Sequence, residues 1–348
     1  MPKALQHHQN NFTFLRHLAA FLVLYAHCIT VNGQEEFIFR LTLRRLELSS
    51  FGVKIFFVIS GYLVTNSLLQ SKNAVHFVRN RILRLWPALI SVTFLLAMVA
   101  GPMLSTLRIS AYFNNAQTWL FLIRNILFLP VYYLPGVFNG QAVNSTFWSI
   151  FFEAVCYAGL IILGKRFLCR HTRGLAISWV LVAIWKYAVP PLFRWPTFLH
   201  PYSYGISDMM FLFYSASIWL LVSKGKNFSA KRIYISALVV FLLSFITVIP
   251  LKLSVFLQDA SLIFFVIEWG RAKPVFKWPN WDISYGTYLL AFPIEMIFLH
   301  HTQANLYGSK MIFIVTLLVT IPLAFGCWYL VEKPALKAKQ LKTNGNLL

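Results

Sequence analysis

Residues 311–331 read MIFIVTLLVTIPLAFGCWYLV and contain no Asp, Glu, Lys, Arg or His. A helix of about 20 apolar residues is long enough to cross a hydrocarbon core of about 30 Å. Similar apolar runs recur along the chain and predict spans near 14–32, 51–69, 85–101, 148–163, 175–193, 207–223, 233–250, 253–269, 282–299 and 311–331. The sequence therefore predicts an all-α, polytopic membrane bundle of about ten transmembrane helices.

The composition supports lipid as the solvent. Of 348 residues, 58% are hydrophobic and only 12% are charged, whereas soluble domains carry about 25% charged residues. The sequence predicts a single integral membrane domain over residues 1–348, with a core at about 10–337, no appended soluble domain and an uncleaved first span. The four cysteines have no metal-binding spacing, so no metal is expected.

The net charge of +21 is concentrated in alternate loops. Membrane proteins collect Lys and Arg in their cytoplasmic loops. Basic clusters precede span three and follow spans four, six, eight and ten, and this alternation predicts that both termini lie in the cytoplasm. The charge therefore indicates a membrane topology and no nucleic-acid partner. Loop 33–50 is the exception: three arginines should lie outside, where three glutamates are available to pair with them, namely Arg40, Arg44, Arg45, Glu35, Glu36 and Glu47.

The longest segment between spans covers about 102–147 and is rich in aromatic residues, so we expect it to fold back onto the bundle from the outer side. Within it, Trp119 to Leu129 is apolar but short and contains Arg124. We interpret it as interfacial or re-entrant. The alternative, an extra span, would break the alternation of loop charges.

Ionisable residues inside a span are costly and indicate function by default. Arg16 and His27 both lie in the first span, eleven residues apart, which places them on nearly the same face of a helix and about 16 Å apart along its axis. Alternatively, Arg16 extends to the cytoplasmic interface and His27 is a packing residue.

The fourth predicted span places Ser149, Glu153 and Tyr157 at intervals of four residues, on one helix face. We expect Glu153 to lie at a depth similar to that of His27 and to pair with His27 or Arg16. The alternative is a structural ion pair between two spans. In the second span, Ser60-Gly61 suits close helix packing, and it is also a place where a bulky ligand could approach the backbone.

The cytoplasmic segment 77–87 holds Arg79, Arg81 and Arg84. Arginine forms forked, charge-assisted hydrogen bonds with phosphate. A phosphate-bearing ligand and simple anchoring on the inner side of the membrane both fit this pattern.

Together these motifs resemble the acyltransferase-3 family of membrane acyltransferases, which O-acetylate bacterial surface sugars. The resemblance covers about residues 10–337 and rests on six motifs: Arg16 with His27; Phe56-Phe57-x-x-Ser60-Gly61; Arg81-x-x-Arg84 with Pro87; Trp148-Ser149-x-x-x-Glu153; Ile283 to Leu289; and Glu332-Lys333-Pro334. One position departs from the pattern. Many members have a histidine in the penultimate span where this chain has Ala291 before Phe292-Pro293, a form similar to that of a subgroup that modifies lipopolysaccharide and Nod-factor sugars.

The resemblance implies transfer of an acyl group, usually acetyl, from acyl-CoA to a hydroxyl of a lipid-linked or exported glycan such as O-antigen, in the bacterial inner membrane. Acetyl-CoA would be a substrate, and no bound cofactor is expected. His27 would be the general base and Glu153 would orient it. The resemblance implies donor binding by Arg79, Arg81 and Arg84 and substrate binding by Arg16, Ser60, Trp148, Ser149 and Tyr157.

Two other classes of protein remain open from the sequence. A transporter or lipid flippase also uses intramembrane Arg, His and Glu, but it often shows internal repeats, which this sequence lacks. A non-catalytic assembly subunit would not need the pair of His27 and Glu153.

Overall fold

The computed structural model describes residues 10–170, 172–188, 203–226, 228–274, 278–301 and 308–344. Within these residues the regular structure is helical, without a strand. A backbone in lipid must satisfy its own N–H and C=O groups, and a helix does so within each segment. The predicted all-α class is therefore confirmed for the described residues.

The helices are α1 (Phe12–Thr30), α2 (Phe37–Leu41), α3 (Leu48–Gln70), α4 (Ala74–Phe94), α5 (Gly101–Leu104), α6 (Ile109–Asn114), α7 (Ala116–Ile126), α8 (Phe147–Arg170), α9 (Thr172–Ala188), α10 (Ser203–Ser223), α11 (Ala230–Leu243), α12 (Leu251–Arg271), α13 (Ser284–His301), α14 (Gly308–Cys327) and α15 (Lys333–Asn344). Two π-helical segments, Leu95–Ala100 and Trp328–Glu332, join α4 to α5 and α14 to α15.

Six helical stretches among the described residues are long and apolar enough to cross a membrane: Phe12–Thr30, Leu48–Gln70, Ala74–Leu104, Phe147–Gly164, Gly205–Ser223 and Gly308–Ala338. Each coincides with a predicted span. The other four predicted spans coincide with α9, α11, α12 and α13, which fall outside this set. A multi-pass membrane protein is therefore supported, but the predicted count of about ten spans is not confirmed.

The length of α11 explains part of this difference. It contains 14 residues, and at 1.5 Å per residue it reaches roughly 21 Å, short of a hydrocarbon core of about 30 Å. The described part of α9 contains 17 residues, and the residues next to it on both sides lie outside the described residues. The end of the predicted fifth span, residues 189–193, lies outside the described residues. By contrast, α12 and α13 bury ionisable side chains, Asp259 and Glu295 among them.

The segment Trp119 to Leu129 forms most of α7, which has 11 residues and packs against α4. At roughly 17 Å it is too short to be a span, so the alternative of an extra span is not supported. Phe121 is fully buried while Trp119 and Ile123 are exposed, as in an amphipathic helix.

The chain divides into two compact units, each built from discontinuous segments. Unit 1 comprises Met1–Ala19, Ile38–Gln70 and Cys156–Trp281, and unit 2 comprises Ala20–Phe37, Ser71–Val155 and Asp282–Leu348. Helices α1 and α8 each contribute residues to both units. The predicted single acyltransferase domain stays a prediction.

In unit 1, α3 packs closely against α10. A Cβ atom at Gly61 would collide with the backbone oxygen of Phe213, so only glycine fits at this position. The Thr65 hydroxyl donates to Ser217 Oγ at 2.8 Å, and Ser217 Oγ donates to the Gly61 carbonyl at 3.2 Å. The Ser60-Gly61 pair thus serves helix packing, and the α10 backbone occupies the place where a ligand would approach Gly61.

In unit 2, the segment between α5 and α8 folds onto the helices, as predicted. Its buried side chains share one core with Leu89 of α4 and Leu289 of α13, and include Tyr112, Phe121, Leu134, Val137, Phe138 and Val143. The Tyr112 hydroxyl donates to the Ala97 carbonyl at 2.8 Å, and burial raises the pKa of Tyr112 to about 12. This segment is therefore an ordered part of the unit 2 core.

Candidate active site

The structure places Arg16 and His27 on the single helix α1, as the sequence predicted. Arg16 Nη2 donates to Thr13 Oγ1 at 3.4 Å, one turn earlier in the same helix. Because α1 is regular between the two residues, the side chains leave it on nearly the same face.

His27 packs against α13. Its ring lies 5.3 Å from the ring of Phe292, edge to face. Its Nδ1 atom is buried and has no hydrogen-bond partner among the described residues. Buried polar atoms are nearly always hydrogen-bonded, so an imidazole nitrogen left in this state is suited to form a hydrogen bond with a bound group.

The residue after His27 reaches a buried carboxyl group that the sequence analysis did not select. Cys28 Sγ donates to Glu295 Oε1 at 3.4 Å. Glu295 is fully buried, and its second oxygen, Oε2, has no hydrogen-bond partner among the described residues. A charged residue within the predicted span 282–299 was the signal that could have revealed it.

The α8 residues Ser149 and Glu153 meet α13 at a different point. Ser149 Oγ and the Tyr288 hydroxyl are 2.7 Å apart and share a hydrogen bond. Glu153 is close enough to interact electrostatically with the same hydroxyl. Tyr288 therefore links the two predicted residues of the Trp-Ser-x-x-x-Glu motif to α13.

One face of α13 collects these contacts. Tyr288, Phe292 and Glu295 are separated by four and three residues, so they form a single stripe along the helix. Along this stripe, Tyr288 contacts Ser149, Phe292 contacts His27, and Glu295 contacts Cys28. The stripe lies on the helix that coincides with predicted span 282–299, where this chain has Ala291 in place of the histidine that the resemblance leads us to expect.

No hydrogen bond or ion pair joins Glu153 to His27 within the described part of the chain. The predicted orientation of His27 by Glu153 therefore stays a prediction. The structure brings both residues to the same face of α13, one turn apart, rather than into direct contact.

The remaining predicted substrate-binding residues lie as follows. Ser60 Oγ and the Tyr157 hydroxyl are 3.2 Å apart in unit 1 and share a hydrogen bond. Trp148 packs edge to face on Phe152, one turn later in α8, with ring centroids 5.4 Å apart. The structure thus pairs Ser60 with Tyr157, and it keeps Trp148 beside Ser149 on α8.

The three predicted donor-binding arginines all lie on α4 but differ in their contacts. Arg84 Nη2 contacts Asp282 Oδ2 at 2.9 Å, and Arg84 Nη1 contacts Glu332 Oε2 at 3.3 Å. The Arg81 guanidinium lies 5.9 Å from the Phe77 ring centroid. Arg79 makes no hydrogen bond or ion pair with any residue that the structure describes. Donor phosphate would have to compete with two carboxylates at Arg84, but not at Arg79.

The contact between Arg84 and Glu332 gives the motif Glu332-Lys333-Pro334 a structural role. Glu332 is the glutamate of Glu332-Lys333-Pro334 and ends the π-helical segment Trp328–Glu332. Asp282 also accepts from the Ser284 backbone N–H and caps the start of α13. Arg84 therefore fastens α4 to the beginning of α13 and to the end of the last long span.

Two further sets of charged residues were missed by sequence reasoning, although each lies in or beside a predicted span. Asp282 is one. The other is a buried network in unit 1, in which Lys54 and Lys186 both contact Asp259, and Lys186 also contacts Asp208 at 3.2 Å. Lone charges inside apolar runs were the available signal.

Comparisons with known proteins identify the family of the chain. A family model described as "Acyltransferase domain" matches residues 9–332. The chain is similar to an O-acetyl transferase of Shigella phage Sf6, with 25% identity over 94% of this chain and 96% of that protein. It is also similar to nodulation protein 10 of Rhizobium leguminosarum bv. viciae, with 27% identity over 95% of this chain and 94% of that protein. No solved structure matches the chain.

The family model spans nearly the whole chain and both units. The motif residues from Arg16 to Glu332 fall inside the matched range, and Lys333 and Pro334 of the last motif lie just beyond it. The chain is a multi-pass membrane O-acyltransferase and belongs to the acyltransferase-3 family.

Proposed function

We propose that this protein transfers an acetyl group from acetyl-CoA to a hydroxyl of a cell-surface polysaccharide such as lipopolysaccharide O-antigen. The observation that carries the proposal is the buried His27 imidazole, whose Nδ1 has no partner among the described residues and which lies beside the polar stripe of α13. Acetyl is favoured over other acyl groups by the similarity to a phage O-acetyl transferase.

The proposed reaction begins with proton transfer. His27 accepts the proton of the sugar hydroxyl through its buried Nδ1 atom, which has no hydrogen-bond partner among the described residues. The hydroxyl oxygen then attacks the thioester carbonyl, the carbon–sulfur bond breaks, and CoA leaves as the thiolate, which takes up the proton from His27. Ser149, with Tyr288, holds the substrate near the α13 stripe, and Glu153 favours the charged form of the base.

Arg79 and Arg81 are proposed to bind the phosphates of the CoA donor on the cytoplasmic side, and Arg16 is proposed to hold the donor deeper. The predicted topology and the fit between guanidinium and phosphate support these assignments. Arg84 would act indirectly, by fixing α4 through Asp282 and Glu332. The proposed location is the bacterial inner membrane, with both termini in the cytoplasm.

The test is mass spectrometry of surface glycans from cells that carry the wild-type chain, His27→Ala or no chain. We expect one acetyl group per repeat to be added only by the wild type. His17→Ala is the matched control, because His17 lies on α1 but packs between Trp278 and Trp281. Both variants are first checked for equal amounts in the membrane. Normal acetylation by His27→Ala would refute the role of His27, and unchanged glycans with the wild type would refute the proposed reaction.

A further inference from the structure

Unit 1 contains a cavity of about 200 Å³ that the proposed reaction does not use. It lies where the connection between α2 and α3 meets α11 and α12. Sites for drug-sized ligands measure about 300–1,000 Å³, so this cavity suits one sugar unit rather than an oligosaccharide. Its polar lining residues are Arg44, Arg45, Glu47, Ser50, Lys54, Gln258 and Asp259.

Arg45 fixes the outer wall of the cavity. Its guanidinium donates to the carbonyl oxygens of Ser244, Ile246 and Ile249, at 3.5, 3.2 and 3.4 Å. These carbonyls follow the end of α11, where a helix leaves acceptors unsatisfied. Arg45 therefore joins loop 33–50 to the turn between α11 and α12. The alternation of the other basic loops predicts an outer position for both segments, although the three arginines of loop 33–50 depart from that pattern. An acceptor glycan is expected on this side.

The backbone next to Arg45 has an unusual conformation. Leu43 and Arg44 have φ values of 53° and 61°, in the left-handed region that residues other than glycine rarely adopt. Such conformations cluster at functional sites, because the surrounding structure must hold them in place. Here the conformation directs two consecutive arginines, Arg44 and Arg45, to the cavity.

The inner wall is a buried charge network. Lys54 contacts Asp259 at 2.9 Å, and the Lys186 ammonium contacts the same carboxylate. The Asp259 side chain is 1% exposed, and two ammonium groups neutralise it. The cavity lining has three cationic and two anionic side chains, so its net charge is positive and favours an anion.

Aromatic rings complete the lining. Phe39, Phe51 and Phe241 all face the cavity, and the rings of Phe51 and Phe241 lie 5.5 Å apart. Aromatic walls with a few fixed polar groups are typical of small-molecule sites. An acidic sugar carries both an apolar ring face and an acidic group. The ring face matches the phenylalanines of this lining, and the acidic group matches its arginines.

We propose that this cavity is an acceptor subsite that binds an acidic sugar through its carboxylate or phosphate group, with Arg44 as the principal contact. The assignment to the acceptor rests on the proposed function, whereas binding of an acidic sugar does not. The anion lies against Arg44 and Arg45, and the sugar ring lies against the phenylalanines.

The test uses the full chain in nanodiscs of phosphatidylcholine, so that no detergent sugar competes. Titrations followed by saturation-transfer NMR compare glucuronate, glucose 1-phosphate and neutral glucose. We expect the acidic probes to bind more tightly than glucose, and Arg44→Gln to weaken them about tenfold or more, because hydrogen bonds to charged groups contribute strongly. Arg40→Gln is the matched control, since Arg40 is an exposed arginine of the same loop outside the cavity.

Ser50→Phe provides a second variant that fills the cavity without removing a charge. If Arg44→Gln does not fold, loss of binding in Ser50→Phe carries the test. Equal affinity for glucose and the acidic probes, or unchanged affinity in both variants, overturns the proposal. Nanodiscs containing phosphatidylglycerol form a further arm. If this lipid displaces the acidic probes from the wild type, the ligand is a lipid headgroup and the proposal is overturned.

Binding and acetyl transfer are measured on the same preparations, so the two proposals can fail separately. A chain that binds acidic probes but transfers no acetyl group supports the cavity and overturns the proposed function. A chain that acetylates a glycan but binds no acidic probe supports the proposed function and overturns the proposal for the cavity.

Discussion

The contacts of Arg84 allow a quantitative prediction that separates a structural role from donor binding. Arg84→Gln removes the cation from between Asp282 and Glu332. Arg84→Lys keeps the charge but loses the second guanidinium nitrogen, so that it cannot contact both carboxylates. The side chains of Arg84, Asp282 and Glu332 are 20%, 11% and 2% exposed. Solvent therefore screens the contact with Asp282 more than the contact with Glu332.

Removing one partner of a buried ion pair costs about 3–5 kcal/mol. Partial exposure of Arg84 and Asp282 favours the lower end, so we expect Arg84→Gln to lose about 3 kcal/mol. A lysine holds one carboxylate but not both, so Arg84→Lys should lose one charge-assisted hydrogen bond, about 1.5–3 kcal/mol. The predicted order of stability is wild type, then Arg84→Lys, then Arg84→Gln.

The assay is the apparent melting temperature in nanodiscs, with acetyl-CoA affinity measured on the same preparations. At roughly 2–4 °C per kcal/mol, Arg84→Gln should melt roughly 6–12 °C below the wild type. Arg79→Gln is the control, since Arg79 lies on the same helix without an ion pair to the described residues. Equal melting temperatures for the two glutamine variants, with acetyl-CoA affinity lost only in Arg84→Lys and Arg84→Gln, would make Arg84 a donor ligand and refute the structural role.

Three further changes test the site. Glu153→Gln removes a charge beside Tyr288 and should lower turnover steeply with little loss of stability; an unstable protein with normal specific activity in its folded fraction would make Glu153 structural. Glu295→Gln replaces a fully buried carboxyl group by an amide of the same shape, so the melting temperature should hold while turnover falls by about tenfold or more if the carboxyl group assists His27; full turnover would exclude this role. Arg81→Lys keeps the charge but not the fork and should raise the Kd for acetyl-CoA without changing stability, and an unchanged Kd would leave Arg81 as an anchor on the inner side of the membrane.

Much of the fold class followed from local sequence. Runs such as 311–331 predict helices in lipid wherever they occur, because a spanning backbone must satisfy its own hydrogen bonds. Periodicity within a helix also placed Arg16 with His27, and Ser149 with Glu153, on shared faces before any packing was known. The count of spans was less certain, since α11 contains only 14 residues where the apolar run predicted a longer helix.

The motifs in chain order, from Arg16 to Glu332, determined the family from the sequence alone. What the sequence left open was the partner that each helix face meets. Arg84 contacts Glu332, which is 248 residues away, and Cys28 contacts Glu295 across 267 residues. Helical periodicity states which side chains share a face, but packing between distant helices decides what lies opposite. Only the tertiary structure therefore shows that Arg84 bridges Asp282 and Glu332 and that Glu295 lies beside α1.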